Sequence, residues 1–139
     1  MAVTLGTVWD RISALVVAQG YVRSTDAFDF DMQPDGKHNK AFCLSSERGG
    51  TDGYLGGDQA ETHVFTIYLA QRISRDVWGA VRQLKADMDA VEAAVAADYA
   101  TYDYNLQDDG VSSECRTPPD TADFVVGQLQ LSIEFDRIM

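Results

Sequence analysis

The chain has 139 residues, a formal net charge of −11 and 45% hydrophobic residues, which predicts one globular domain, residues 1–139, with its own core. The acidic balance argues against a surface that grips nucleic-acid phosphates, because that requires clustered Lys and Arg. It is compatible with a surface that a polyanion passes without adhering.

The first predicted element is a helix over residues 4–19. Its apolar residues recur at helical spacing, with Thr4 or Thr7 as the cap and Gly20 as the left-handed stop. Trp9 lies beside this apolar stripe, as a core or interface anchor. The segment has neither the basic start nor the cleavage site of a signal peptide, and no apolar run reaches the length of a membrane span. We therefore expect an intracellular origin and no membrane insertion.

A hairpin is predicted next, with strands at 27–31 and 41–45 around the turn at Pro34-Asp35-Gly36. Cys43 in the second strand is expected to be a reduced core residue. Residues 45–62 contain five glycines within nine positions, which predicts a flexible loop. Arg48 and Tyr54 in this loop are the first candidates for binding a partner, because Arg and Tyr are favoured at interface centres.

The segment 63–72 is rich in β-branched and aromatic residues on both parities, which predicts a central strand covered on both faces. His63 at its start is expected to be half-exposed. Asp76 then caps a helix to about Ala97, whose apolar residues form one continuous stripe: Val77, Val81, Leu84, Met88, Val91 and Val95.

The last third combines strands with acidic loops. Residues 98–139 hold nine acids and two bases, whereas residues 63–97 hold four of each. A strand is predicted at 101–107, a polar loop at 108–123, and a terminal strand in which Leu129, Leu131, Ile133 and Phe135 alternate with polar residues. A long strand at a chain end is a ready sheet edge. The order of elements predicts an α+β fold, a mostly antiparallel sheet with a long helix packed on one face and a shorter N-terminal helix.

The sequence contains partial patterns of three kinds of chemical site, but none is complete enough to predict a site. Cys43 with His38 or His63 lacks an orienting group for nucleophilic catalysis. The stretch 31–42 begins like a calcium loop but has Phe42 where a bidentate Glu is needed. The glycine-rich stretch lacks the Lys and Ser/Thr of a phosphate-binding loop. We therefore expect no catalytic, cofactor-binding or metal-binding residue, and a protein that is not an enzyme.

The order of elements, the sequence "YDYNLQDDG" and the closing "ADFVVGQLQLSIEFDRIM" resemble the tail terminator proteins of long-tailed, lambda-type bacteriophages. The resemblance is one of pattern and spans nearly the whole chain. The sequence departs from that pattern in longer loops at 45–62 and 108–123, so the family's subunit contacts cannot be carried over there.

The resemblance implies a structural virion protein, assembled in the host cytoplasm, that forms a six-fold ring at the head-proximal end of the tail. Such a ring stops growth of the tail-tube protein, meets the head–tail connector or neck protein on its other face, and lets DNA pass without specific binding. Acids of the final strands, Asp103, Glu134 and Asp136, then contribute to the lumen, and Glu134 and Asp136 to a ring seam, or are ordinary solvent-facing residues.

Other functions stay open at this point. A head-completion, neck or tail-tube protein uses the same kind of small ring subunit. A small intracellular enzyme or an adaptor domain is the alternative from a different class. A stable monomer with a dry, polar-lined pocket favours the enzyme, whereas self-association into a ring favours the terminator.

Overall fold

The structure, a computed structural model, describes residues 4–34, 36–52, 59–73, 76–98, 104–116 and 123–137. Two helices and five strands follow the order α1 (Leu5–Val17), β1 (Val22–Arg23), β2 (Lys40–Asp52), β3 (Gln59–Arg72), α2 (Val77–Asp98), β4 (Tyr104–Cys115) and β5 (Phe124–Arg137). The strands form one sheet in the order β1-β2-β3-β5-β4. All pairings are antiparallel except the short β1–β2 pair. The predicted α+β class is confirmed.

Both helices begin where their capping residues predict. The Thr4 hydroxyl accepts a hydrogen bond from the Thr7 amide at 3.1 Å, and the chain leaves α1 at Gly20 with φ +92°. The Asp76 carboxylate accepts from the Trp78 amide at 3.1 Å at the start of α2. These bonds satisfy amides that the first helical turn leaves without an intrahelical partner.

The main core lies between one face of the sheet and the two helices. Alternation in β3 and β5 supplies one side of this core, and the apolar stripe of α2 supplies the other. The α2 residues that are buried against the sheet are Leu84, Met88, Val91 and Val95. Gly127 in β5 lies directly under α2, because a Cβ atom built there would be 2.6 Å from the Met88 sulfur. The predicted stripe of α2 is thus confirmed at its centre and C-terminal half.

The described residues cover the opposite face of the sheet only at one end. There Phe28 packs with Ala41, Ala70, Phe124 and Val126 in a second apolar cluster. Both faces of β3 are therefore covered near Arg72, as predicted, but toward its start the residues Thr62, Val64 and Thr66 are only half-buried.

The predicted strand at 27–31 is wrong. Phe28 and Phe30 lie in an irregular segment and both contact the Tyr68 ring, at centroid distances of 6.5 and 5.7 Å. The alternating Phe28 and Phe30 place two aromatic rings against the sheet face, and the segment does not form a strand. The strand that joins β2 is instead β1, with Val22 opposite Ala41.

The predicted loops at 45–62 and 108–123 are strands over much of their length. β2 continues to Asp52 and β3 begins at Gln59, with a bulge between Arg48 and Gly50. β4 continues to Cys115 past a register shift between Leu106 and Val111. Ladder hydrogen bonds and bulges thus accommodate glycine-rich and acidic segments that have little intrinsic strand preference.

The alternation of the terminal strand is confirmed but its position is not. Leu129, Leu131, Ile133 and Phe135 are buried. β5 lies between β3 and β4, so it is an interior strand and the predicted free edge at the chain end is wrong. Apolar burial on one side and ladder partners on both sides favour this central place.

Candidate functional site

The most distinctive surface is the uncovered half of the sheet, which we call the open sheet face. Apart from Val64, its described side chains are polar or acidic: Ser45, Glu47, Thr62, Thr66, Ser112, Gln130, Ser132 and Glu134. The side chains bridge the strands, since Gln130 donates to Thr66 at 3.5 Å and contacts the Ser112 hydroxyl at 3.2 Å. Within this described set no side chain is basic. Such a surface offers hydroxyls, amides and carboxylates but no cationic partner for a phosphate.

The residues predicted to contact partners occupy different places. Glu134 lies half-buried on the open sheet face, opposite Thr62. Arg48 is exposed on β2 opposite His63, and therefore on the helix face. Asp136 pairs with Ala60 within the sheet, but its side chain lies outside the described residues. Tyr54 and Asp103 also lie outside the described residues.

Trp9 is a peripheral core residue. Its ring meets the Phe65 ring edge-on at 6.2 Å, and it packs against the main core from α1. Trp78, in contrast, is 66% exposed on α2. Of the two predicted roles for Trp9, a core or an interface anchor, the structure therefore places it in the core.

The sheet separates Cys43 from His63, one of the two histidines considered as its partner for nucleophilic catalysis. Cys43 pairs with Tyr68 and belongs to the second apolar cluster, and its thiol donates to the Phe28 carbonyl at 3.2 Å. Burial raises the pKa of the Cys43 thiol. His63 lies on the other face, where its ring stacks on Phe135 at 5.3 Å. His63 is buried, not half-exposed as predicted, and it cannot face Cys43.

Sequence reasoning missed a polar cluster on α2. The Asp87 carboxylate accepts hydrogen bonds from the Tyr21 hydroxyl at 2.8 Å, Lys40 at 3.3 Å and Gln83 at 3.0 Å. Burial and this carboxylate raise the pKa of Tyr21. The cluster ties the segment after α1 and the start of β2 to α2. The only signal in the sequence is an acid three residues after Leu84, at the margin of an apolar stripe.

A second missed cluster joins α1, α2 and β4. Arg11 donates to both carboxylate oxygens of Asp98, at 2.8 and 2.9 Å, and the Tyr104 hydroxyl donates at 2.7 Å. The Arg11 guanidinium is the main cause of the lowered pKa of Asp98, and the Tyr104 hydroxyl lowers it further, while burial opposes both. Because Asp98 closes α2 directly beneath α1, this network fixes how the two helices pack.

The described residues also bear on metal sites, membrane spans and cavities. No cluster of three or more His, Cys, Asp or Glu side chains there is arranged to hold a metal ion. Nor is any described helix long and apolar enough to cross a membrane. A cavity of about 220 Å³ between α2 and β4 is lined by Lys85, Met88, Asp89 and Cys115, where burial raises the pKa of the Cys115 thiol.

Comparison with known proteins adds no assignment. No protein-family model matches the sequence, and no curated protein matches it.

Proposed function

We propose that the chain is a structural virion protein that forms a six-fold ring at the head-proximal end of a phage tail tube. In this role it stops polymerisation of the tube protein and joins the tail to the head connector. It acts by the shape of its interfaces and transforms no small molecule. The observation that carries the proposal is the open sheet face, a broad polar and acidic surface on an α+β subunit whose sequence resembles tail terminators.

The chemistry of the open sheet face suits a channel for DNA. Its described carboxylates, Glu47 and Glu134, repel phosphates, and its serine, threonine and glutamine side chains bond to water as readily as to a ligand. Among the described side chains of the open sheet face, DNA that leaves or enters the head then meets no cationic group that would retain it. The opposite face cannot serve this purpose, because both helices cover it.

Termination is tested by adding the purified protein to growing tubes of the tail-tube protein from the same genome. Electron microscopy should show the protein at one end only and tubes that stop lengthening after its addition. Ring formation is measured in parallel by light scattering. Tubes that keep growing, with no protein at their ends, overturn the proposal.

The channel is tested by charge reversal on the two sides of the sheet. Virions assembled with Glu134→Lys should eject DNA more slowly, because the new ammonium binds phosphates in the lumen. Asp89→Lys, the same charge change on the exposed helix side, should eject DNA at the wild-type rate. Equal rates for wild type and Glu134→Lys remove the open sheet face from the channel.

The proposed partner-binding segment is the tip between β2 and β3, which includes Tyr54. Replacing residues 53–58 by a two-residue Asn-Gly turn keeps the paired strands on either side and removes the tip. We expect the folded variant to lose tube or connector binding. Arg48→Ala serves as a partial variant, since it removes one exposed cation and keeps the tip. A tip-less protein that still attaches to tails would refute this assignment.

A further inference from the structure

Beyond the short β1 pairing, the two edges of the sheet are different long strands, β2 and β4. β4 forms one edge. On the other edge, β1 pairs only with Ala41 and Phe42, so β2 runs on from Leu44 with no described strand outside it. Each edge keeps a straight segment beside its bulge, Leu44–Arg48 in β2 and Val111–Cys115 in β4. Unpaired edges of this kind are templates for another strand.

Hydrogen bonds at the ends of the sheet show which residues face outward. The Phe42 carbonyl accepts from Ser24 on the outer side of β2, and the Arg72 amide donates inward to Asn39 across the β2–β3 pair. The Ile73 amide donates to Asp123 across the β3–β5 pair. Because backbone groups alternate sides along a strand, Leu44 and Ser46 direct their amide and carbonyl groups outward.

The same alternation carried across the sheet identifies the outward groups of β4. Ser45 faces Thr66, Ile67 faces Leu129, and Gln130 faces Ser112 in successive pairs. Ser112 therefore bonds inward to β5, and Ser113 directs its amide and carbonyl outward. Ser46 and Ser113 thus each present a backbone amide donor and a backbone carbonyl acceptor, and they lie at opposite edges of the sheet. Their strands lie at the same level of the sheet, because Leu44, Ile67, Leu129 and Ser113 form one row.

We propose that β2 of one copy of this chain pairs with β4 of the next, so that edge-to-edge pairing closes the ring. The inference rests on the proposed function for the ring itself and names its junction. β2 and β4 run in opposite directions, because three antiparallel pairings separate them. In a cyclic ring every copy has the same polarity, so β4 meets β2 antiparallel, which is the more stable pairing.

The size of the closed sheet agrees with a channel for DNA. Six copies contribute four long strands each, and strands spaced about 4.8 Å apart give a circumference of about 115 Å and a diameter of about 37 Å between backbones. Strand tilt enlarges this value. With the helices outside, the open sheet face lines a lumen wide enough for a DNA double helix.

A two-fold dimer through one edge is the competing arrangement. β4 against β4 is also antiparallel, but it leaves the β2 edge of each copy uncovered. Head-to-tail pairing covers both edges of every copy with a single kind of junction.

The test places proline at the outward positions. Ser46→Pro and Ser113→Pro each remove one outward amide and leave the ladders within the subunit intact, since proline is tolerated on an edge when its nitrogen faces solvent. Ser46→Ala and Ser113→Ala are matched controls that keep the amide. Circular dichroism checks the fold. If either proline variant is unfolded, the double variant Ser46→Lys and Ser113→Lys replaces it, with like charges across the junction.

Light scattering should show a ring mass for wild type and both alanine variants, and a monomer for each proline variant. Mixing the two proline variants should yield nothing larger than a one-to-one dimer, seen only at high protein concentration, because one intact β2 meets one intact β4 and the other junctions are blocked. A two-fold dimer lost only in Ser113→Pro, or a wild type that stays monomeric, overturns the inference. Rings formed by the proline variants also overturn it, but they leave the proposed function standing, which the tube-capping experiment decides separately.

Discussion

Gly127 provides a sharp test of how closely α2 packs on the sheet. A Cβ atom at this position would lie 2.6 Å from the Met88 sulfur and 3.2 Å from the Leu84 Cδ2 atom. The backbone itself has no need of glycine, since the only described glycines with positive φ are Gly20 and Gly36. Any penalty for Gly127→Ala therefore comes from crowding against α2.

The expected loss of stability for Gly127→Ala follows from two opposing terms. Overpacking of a core typically costs about 1–3 kcal/mol, while the reduced entropy of the unfolded chain returns about 0.4–1 kcal/mol. We expect a net loss of about 1–2 kcal/mol in the free energy of unfolding, measured by urea denaturation with circular dichroism. Gly6→Ala is the matched control, because the nearest atom to its new Cβ, the Thr4 Oγ1 atom, is 3.9 Å away. It should be neutral or stabilising.

A second substitution shows whether Met88 is the cause. Met88→Ala alone leaves a cavity and costs about 2–5 kcal/mol. In Gly127→Ala with Met88→Ala the new methyl group occupies space that the sulfur has left, so the double variant should be more stable than the sum of the two changes by about 1 kcal/mol. Strict additivity, or a Gly127→Ala protein as stable as wild type, would refute the close approach of α2.

Three further predictions concern polar contacts and one turn, each measured by urea denaturation. Asp98→Asn weakens the bonds from Arg11 and should cost about 2 kcal/mol of unfolding free energy at neutral pH. Because the pKa of Asp98 is lowered in the folded state, the difference from wild type should shrink as the pH falls through that lowered pKa. A difference that stays constant with pH would show that the charge of Asp98 is not what stabilises the fold. Tyr21→Phe removes one of three donors to Asp87 and should cost about 1 kcal/mol, at most half the loss in Asp87→Ala. Gly20→Ala places a methyl group at φ +92° and should cost about 1–2 kcal/mol, so an unchanged midpoint contradicts a left-handed turn there.

The helices and the buried rows of the sheet could be predicted because their signals are local. Helical spacing and a capping side chain define α1 and α2, and period-two alternation defines which residues of β5 are buried. These patterns depend on a residue and its close neighbours in sequence. They do not depend on which strand lies alongside.

The strand order could not be predicted, because apolar–polar alternation within a strand does not identify the strands that pair with it. β5 has the pattern of a half-buried strand whether it lies at an edge or in the interior, and only its pairing with β3 and β4 decides this. The lengths of β2 and β4 were underestimated for a related reason. Glycine and aspartate have low strand propensity, but a long partner such as β3 supplies ladder bonds that override it.

The two polar clusters were missed because their members are distant in sequence. Arg11 and Asp98 are separated by most of the chain, and a single acid on an amphipathic helix usually faces water. Their signal becomes readable only once α1 is placed on the C-terminal half of α2. The same applies to Lys40 and Asp87.

The interior place of β5 also bears on how a ring would form and stop. Since the terminal strand is inside the sheet, the edges that no described strand covers are β4 and the part of β2 beyond β1, and their register shifts confine regular pairing to short segments. A junction with so few backbone hydrogen bonds, each contributing about 1 kcal/mol, is weak by itself. A terminal copy in an open chain is held by one junction and dissociates easily, whereas every copy in a closed ring is held by two junctions. Assembly should therefore be all-or-none, with monomers and complete rings but few intermediates, and the finished ring has no edge left on which a further strand can add.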